Sequence, residues 1–204
     1  MTVQDRVREG VVVFMGTVAR HMPADSPKIP EIVGLLVEVL RTPSHSVQES
    51  VAKCLAPLVP ALSSEDAEKF VNLCLKRLAE AETYGERKGA AFGLAGIVQG
   101  LKLSSLKKYN ILDQLAVFVQ DKANSKSRQG AMFAYERLFG ELGSKFEPYV
   151  VHVLPHLLAN FGDANAEVRQ ATQDAAAVMM SHLTGHGVKI VLPLVLRALE
   201  DTQW

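Results

Sequence analysis

Apolar residues recur three or four positions apart along almost the whole chain. One such stripe runs through Val51, Leu55 and Leu58, and another contains Leu94 and Val98. This spacing places apolar side chains on one face of a helix, whereas a half-buried strand alternates with a period of two. Because no segment alternates strictly in that way, the pattern predicts an all-α chain.

A common frame recurs at the start of five predicted helices. Each frame has Arg or Gln at its second position, and a small residue follows two positions later. The Arg or Gln positions are Arg8, Gln48, Arg87, Arg128 and Arg169. The small residues are Gly10, Ser50, Gly89, Gly130 and Ala171, and we expect them to permit close helix packing. The spacing of about forty residues is typical of HEAT and armadillo arrays.

Each frame helix is expected to be the second helix of an antiparallel pair. The predicted first helices cover residues 29–41, 65–80, 105–120, 146–161 and 187–200. The predicted units are a truncated repeat at 4–22, repeats at 28–62, 64–101, 104–142 and 146–183, and a truncated repeat at 187–204. Because the outer units hold single helices, we interpret the sequence as one array cut from a longer solenoid.

Local signals for helix starts accompany these ranges. Three pairs have the spacing of a capping box, in which a hydroxyl and a carboxylate three residues later satisfy free backbone N–H groups. The pairs are Ser46 with Glu49, Thr83 with Glu86, and Ser144 with Glu147. Pro155 and Pro193 fall inside first helices, where proline removes a backbone hydrogen bond.

An acidic residue precedes two of the frame arginines. Asp121 lies seven residues before Arg128, and Asp163 lies six residues before Arg169. An Arg in the first turn of a helix is unfavourably placed in the helix dipole and needs a compensating partner. Each Asp falls in the turn, where it can accept backbone N–H groups and face an Arg. We therefore expect these four residues to form a structural ladder between stacked repeats; a row of arginines that grips phosphates is the alternative.

The order of residues around the last complete repeat matches the HEAT pattern. Leu154-Pro155 is followed eight residues after the proline by Asp163, and Val168-Arg169 opens the next helix. The chain resembles HEAT proteins over its whole length, although Gln48 replaces Arg in one unit. The resemblance implies a right-handed α-solenoid of antiparallel helix pairs.

Three stretches carry a narrower resemblance. Residues 27–62, YGERKGAAFGLAGIVQGL at 84–101, and KSRQGAMFAYERLFGELGSKFEPYV at 126–150 closely resemble the middle HEAT region of the large general-control translational activators. That region is similar to the N-terminal HEAT domain of translation elongation factor 3. The resemblance implies a cytoplasmic, ribosome-associated scaffold whose full-length members help activate the kinase of initiation factor 2 alpha. The implied partners are the ribosome, through its RNA and proteins, and that kinase.

Charge adds local candidates for these contacts. The 204 residues include 22 basic and 22 acidic side chains, so net charge does not draw the chain to nucleic acid or to an anionic membrane. Five lysines nevertheless flank two neighbouring turns and are candidate contacts for ribosomal RNA or an acidic partner, with solvated turn residues as the alternative. They are Lys102, Lys107 and Lys108 between repeats, and Lys122 and Lys126 inside a repeat.

The remaining residues offer little support for catalysis. Cys54 and Cys74 lie among apolar residues and are expected to be buried reduced thiols. His152 and His156 share a helix face but lack a third ligand, so we expect no metal and no cofactor. The chain has neither GxSxG nor a Walker A motif, which argues against a small-molecule substrate and against ATP-driven elongation. No apolar run reaches the roughly 18–20 residues that span a bilayer. A generic HEAT scaffold of the nuclear-transport or phosphatase type remains the alternative function.

Overall fold

The structure, a computed structural model, describes residues 3–200, and all regular structure in that range is helical. The α-helices are α1 Val3–Arg20, α2 Lys28–Val39, α3 His45–Leu58, α4 Ser64–Glu80, α5 Tyr84–Leu101, α6 Ser104–Lys108, α7 Ile111–Gln120, α8 Ser125–Leu142, α9 Val150–Phe161, α10 Ala166–His182 and α11 Gly185–Glu200. Two 3₁₀ segments, Val59–Ala61 and Gly143–Tyr149, lie between repeats. The predicted all-α fold is therefore confirmed, and the last four residues of the predicted unit 187–204 lie outside the described range.

The helices form two layers. The second helices α1, α3, α5, α8 and α10 pack side by side in that order, and this layer contains the most extensive helix contacts. The first helices α2, α4, α7, α9 and α11 form the other layer, where α2, α4, α7 and α9 pack mainly on second helices and α11 packs mainly on α9. One continuous apolar core lies between the layers. The two helices of a pair therefore bury their apolar faces against each other and against the adjacent pair, as expected for a repeat array.

Glycine permits the closest approaches between pairs. A Cβ atom on Gly89 would lie 2.0 Å from the carbonyl oxygen of Leu40, and one on Gly130 would lie 2.1 Å from that of Leu78. No side chain fits at such distances, so both frame glycines are required by packing. The same expectation is wrong at Gly10, where a Cβ would have no neighbour within 4 Å.

One of the three expected capping boxes forms at its predicted helix start. The Thr83 hydroxyl accepts a hydrogen bond from the backbone N–H of Glu86 at 3.2 Å and caps α5 as predicted. The prediction is wrong at Ser46, because α3 already begins at His45 and the N-cap is Ser44 in an extended conformation. The chain therefore enters the helix two residues earlier than the motif suggests.

Two predicted first helices differ from the expected ranges. The helix expected at 105–120 is divided into α6 and α7, because Asn110 adopts a left-handed conformation with φ 50° and ψ 36°. Asn tolerates this region better than most residues. The helix expected at 146–161 begins only at Val150 and follows a 3₁₀ segment. Glu147 does not complete a box with Ser144; its carboxylate accepts hydrogen bonds from the backbone N–H and the hydroxyl of Thr184 in the next repeat.

Candidate interaction surfaces at the two edges of the array

Turns of two kinds lie at opposite edges of the array, since the helices of each pair are antiparallel. The within-repeat edge contains the turns at 41–44, 81–83, 121–124 and 162–165. The between-repeat edge contains the segments at 21–27, 59–63, 102–110, 143–149 and 183–184. Even the ten residues of α7 separate the edges by about 15 Å. A side chain in a turn therefore belongs to one edge only.

Arg128 joins two repeats at the within-repeat edge. Its Nη1 donates to the carbonyl oxygens of Asp121 at 2.7 Å and Lys122 at 3.2 Å, both in the turn of its own repeat. Its Nε and Nη2 donate to the two carboxylate oxygens of Asp163 in the next repeat, at 2.6 and 3.0 Å. The side chains of Arg128 and Asp163 are only 13% and 7% exposed. Hydrogen bonding to Arg128 lowers the pKa of the Asp163 carboxyl.

Arg87 occupies the same frame position one repeat earlier. Its Nη1 donates to the carbonyl oxygens of Ala81 at 2.8 Å and Glu82 at 3.1 Å. Its Nε and Nη2 both reach the side-chain oxygen of Gln129 in the next repeat, at 3.1 and 2.6 Å. Arg87 is buried, and this desolvation lowers the pKa of its guanidinium group. The arrangement repeats that of Arg128 with a neutral acceptor in place of a carboxylate.

Gln48 and Arg169 also bind the turn of their own repeat. Gln48 Nε2 lies within 3.1 Å of the carbonyl oxygens of Leu40 and Thr42, and 2.9 Å from that of Gly85 in the next repeat. Arg169 Nη1 donates to the carbonyl oxygen of Asp163 at 2.6 Å. A frame side chain that satisfies turn carbonyls thus recurs in four repeats, and Gln serves where Arg is absent.

The two expected Asp–Arg pairs therefore do not form through their side chains as predicted. Arg128 and Arg169 each contact the backbone of the preceding Asp rather than its carboxylate. The Asp121 carboxylate instead accepts from the backbone N–H groups of Ala123 and Asn124, both at 3.1 Å. The structure brings together Arg128 and Asp163 across repeats. Sequence reasoning missed Gln129, whose only signal is its position next to a frame Arg.

Two of the five candidate lysines, Lys122 and Lys126, lie at the within-repeat edge. Lys126 forms an ion pair with Glu82 in the preceding repeat, and the side chains are 41% and 81% exposed. The Lys122 side chain is exposed and has no ion-pair partner among the described residues. These two lysines face the same edge as the buried ladder.

The other three candidates lie at the opposite edge. Lys108 Nζ donates to the hydroxyl of Ser64 at 2.6 Å and lies 5.1 Å from the ring centroid of Tyr109. Lys107 and Lys102 are exposed and line different depressions. The structure therefore separates Lys122 and Lys126 from the other three lysines by about the length of α7, and the five do not form a single patch.

Lys102 instead lies among cations that sequence reasoning missed. Two open depressions of about 750 and 580 Å³ adjoin along the between-repeat edge and share Gln99 and Lys102. We call them together the basic groove. The cationic residues that line it are Arg20, Lys53, Lys102 and Lys145. The sequence carries a signal for part of this set, because Arg20 ends α1 and Lys102 directly follows α5, a second helix two repeat periods later.

A third depression of about 450 Å³ lies between α7 and α9 and includes both histidines of the predicted pair. At its floor the buried Tyr135 hydroxyl hydrogen-bonds to His156 Nδ1 at 2.8 Å. Burial raises the pKa of Tyr135, and burial together with nearby His152 lowers the pKa of His156. Within residues 3–200 no three His, Cys, Asp or Glu side chains are placed to hold a metal ion.

The two cysteines are free thiols in the packed layers. Cys74 is buried, and desolvation raises its pKa to about 12. Cys54 is only half-buried, and desolvation also raises the pKa of its thiol, which corrects the expectation that both thiols are buried. None of the helices in the described range has the length and apolar character needed to cross a membrane.

Comparison with known proteins identifies similar chains. The family described as EF3 N-terminal HEAT repeat matches residues 87–204. Stalled ribosome sensor GCN1 of Homo sapiens is 52% identical over 200 residues, which cover 98% of this chain and 8% of that protein. The eIF-2-alpha kinase activator GCN1 of Dictyostelium discoideum is 48% identical over 202 residues, covering 98% of this chain and 8% of that protein. Elongation factor 3 of Gonapodya prolifera is 31% identical over 119 residues, covering 58% of this chain and 11% of that protein. The chain thus spans about 8% of the length of the two GCN1 relatives.

Proposed function

The chain belongs to the EF3 N-terminal HEAT repeat family, and from this premise we propose that it is a ribosome-associated scaffold segment of a translational-control protein. In this role it contributes to sensing stalled or starved ribosomes and to activating the kinase of initiation factor 2 alpha. The observation that carries the proposal is the 52% identity, over 98% of the chain, to a relative described as a stalled ribosome sensor. The Dictyostelium relative is described as an activator of that kinase, which supports the same role.

The proposed mechanism is binding without chemistry. A repeat array holds a long surface in a fixed shape, because each repeat packs only on its neighbours. A scaffold that contacts the ribosome at one segment and a kinase at another raises the effective concentration of the kinase at the ribosome. The open, shallow depressions of the described residues suit macromolecular contacts of this kind. The site of action is the cytoplasm, where the ribosome and the kinase meet.

Ribosome co-sedimentation tests the first half of the proposal. The purified chain is mixed with ribosomes and centrifuged through a sucrose cushion at several salt concentrations. We expect the chain to enter the pellet with ribosomes and to be released as salt rises, since contacts with phosphates are salt-dependent. A chain that stays in the supernatant at all salt concentrations, but binds a small GTPase or a phosphatase catalytic subunit, would instead identify a generic scaffold.

Segment exchange tests the second half. The matching segment of the Dictyostelium relative is deleted, or replaced by this chain, and phosphorylation of initiation factor 2 alpha is measured during amino-acid starvation. We expect the deletion to lower phosphorylation and the replacement to restore it. Normal phosphorylation in the deletion strain would contradict the proposed role in kinase activation.

A further inference from the structure

The basic groove has an unbalanced charge. Its lining includes four cationic side chains and a single acidic one, Glu141. Lys53 is paired with Glu49 at 2.6 Å, outside the lining. Arg20, Lys102 and Lys145 are exposed and have no ion-pair partner among residues 3–200. Three free cations therefore face one continuous depression.

The backbone at Lys102 is strained at the junction of the two depressions. Lys102 has φ 72° and ψ 171°, a conformation that belongs almost entirely to glycine. Glycine is the residue that ordinarily follows a helix with positive φ. A lysine at this position places a cation at the centre of the groove at the expense of stability, and such strain is concentrated at functional sites.

Helix dipoles do not offset these charges. The second helices α1, α3, α5 and α8 end at the between-repeat edge, and the first helices α2, α4, α7 and α9 begin there. The negative ends of one layer therefore lie beside the positive ends of the other, and their fields largely cancel. The side chains set the sign of the potential in the groove.

The positions of the cations select a polyanion. Arg20 ends α1, Lys102 follows α5 and Lys145 follows α8, so these side chains are carried by different helices of the second layer. Neighbouring helices are about 8–10 Å apart, which is too far for one carboxylate or phosphate group to contact all three cations. A chain of regularly spaced negative charges can contact them together.

The other residues that line the groove favour the backbone of double-helical RNA as its ligand. The groove contains no aromatic side chain on which unpaired bases could stack. Gln99, which both depressions share, donates one Nε2 hydrogen to the carbonyl oxygen of Glu141 at 3.5 Å. Its second N–H and its Oε1 offer a donor and an acceptor, and a ribose 2′-hydroxyl can bind to both. A carboxylate of an acidic peptide only accepts hydrogen bonds and would use half of that capacity.

We propose that the basic groove binds the phosphate backbone of an RNA double helix, with Lys102 at its centre. The inference rests on the proposed function, because it names the class of ribosomal component that this segment contacts. It also narrows the candidate set, since Lys102 is the one member of the five lysines that lies in the groove.

Charge reversal with a matched control tests the groove. The groove variant carries Arg20→Glu, Lys102→Glu and Lys145→Glu. The control variant carries Arg8→Glu, Lys69→Glu and Lys189→Glu, which alter exposed side chains outside the groove and change the net charge equally. The probe is an RNA duplex of about twenty base pairs. We expect the groove variant to bind it at least about tenfold more weakly at 0.15 M salt, with a log–log salt slope smaller by about 2–3, while the control stays near wild type.

Lys102→Gly separates binding from folding. Because glycine relieves the strained backbone, the melting temperature should rise by about 2–4 °C while affinity for the duplex falls several-fold. A destabilised fold would lower both quantities together. A variant with an unchanged or lower melting temperature and unchanged affinity would overturn the role of Lys102.

The outcomes also separate this inference from the proposed function. If the groove variant pellets with ribosomes and binds the duplex as well as wild type, the groove inference is wrong and the ribosome-binding function stands. If polyglutamate displaces the chain from ribosomes and the duplex does not, the groove is an acidic-peptide site and the RNA inference is wrong. If the wild-type chain binds the duplex in a groove-dependent way but never pellets with ribosomes, the inference stands and the ribosome-binding function is wrong.

Discussion

The two edges of the array use polar residues in opposite ways. At the within-repeat edge, frame side chains such as Arg87 and Arg128 are largely buried and satisfy backbone carbonyls in the turn and polar groups of the next repeat. At the between-repeat edge, Arg20, Lys102 and Lys145 are exposed and unpaired among the described residues. Cations with matched partners stabilise the stack, whereas cations without partners remain available for a ligand.

The difference follows from what each turn must satisfy. The short turns inside repeats leave carbonyl oxygens at the first-helix ends, such as those of Ala81 and Asp121, in partly buried positions. A buried carbonyl without a donor is costly, so a donor is needed at the same place in each repeat. The segments between repeats vary in length, and two of them contain 3₁₀ turns, at Val59–Ala61 and Gly143–Tyr149. No donor is required there at a fixed position in each repeat, so other functions can determine the side chains.

Arg87→Ala should produce the largest loss of stability. The substitution leaves the carbonyl oxygens of Ala81 and Glu82 and the side chain of Gln129 without their donor in a buried site. We expect a loss of about 3 kcal/mol in the free energy of unfolding, measured by urea denaturation. Arg20→Ala at the other edge is the matched control and should change stability by less than about 0.5 kcal/mol. Equal effects of the two substitutions would remove the distinction between the edges.

Asp163→Asn should have the second largest effect. The substitution removes one charge from the bidentate pair with Arg128 and leaves a mostly buried guanidinium group without its counter-ion. We expect a loss of about 1–3 kcal/mol in the free energy of unfolding. Asp121→Asn is an informative control, because the Asp121 carboxylate caps its turn and contacts no Arg side chain. A larger loss of unfolding free energy for Asp121→Asn would mean that the main ionic contact of Arg128 lies within its own repeat rather than between repeats.

The contrast between Asp121 and Asp163 shows how far the contacts at the within-repeat edge can be predicted from the sequence. Periodicity located the frame arginines, the turns and the two aspartates. The pattern suggested an Arg paired with the Asp a few residues before it, but the Asp163 carboxylate binds Arg128 of the preceding repeat. The pairing depends on how stacked turns meet, and a single sequence does not specify the relative offset of two turns. Gln129 was missed for the same reason, since its role depends on contact with Arg87.

The basic groove is harder to predict from the sequence than the ladder. Nearness along the chain grouped Lys102 with Lys122 and Lys126, yet α7 separates them by its full length. The helix break at Asn110 and the 3₁₀ segment at Gly143–Tyr149 were also not predicted, because each depends on local backbone choices that the apolar pattern does not record. Helices were therefore predictable from spacing, whereas surfaces assembled from different repeats were not.

The pH dependence of stability should differ between wild type and Asp163→Asn. Because the pKa of the Asp163 carboxyl is lowered in the folded protein, the unfolded state binds more protons as pH falls below about 4. The stabilisation by Asp163 is thus fully present above that pH and is lost as pH falls through the depressed folded-state pKa. Denaturation curves at neutral pH and at several acidic pH values should show the difference between the two proteins shrinking on acidification. A constant difference across this range would mean that the ionised carboxylate is not what stabilises the stack.

Lys126→Ala should have the smallest effect and tests whether burial, rather than position at an edge, explains the comparison. Lys126 lies at the same edge as Arg128 and also pairs with a residue of a neighbouring repeat, but its partner Glu82 is 81% exposed. Exposed ion pairs contribute little, because water screens both charges and two long side chains lose freedom when they pair. We therefore expect the melting temperatures of Lys126→Ala and Glu82→Ala to stay within experimental error of wild type. A clear decrease in both would mean that edge position itself makes a contact stabilising, and Lys126 would then belong with the ladder rather than with the surface residues available to a partner.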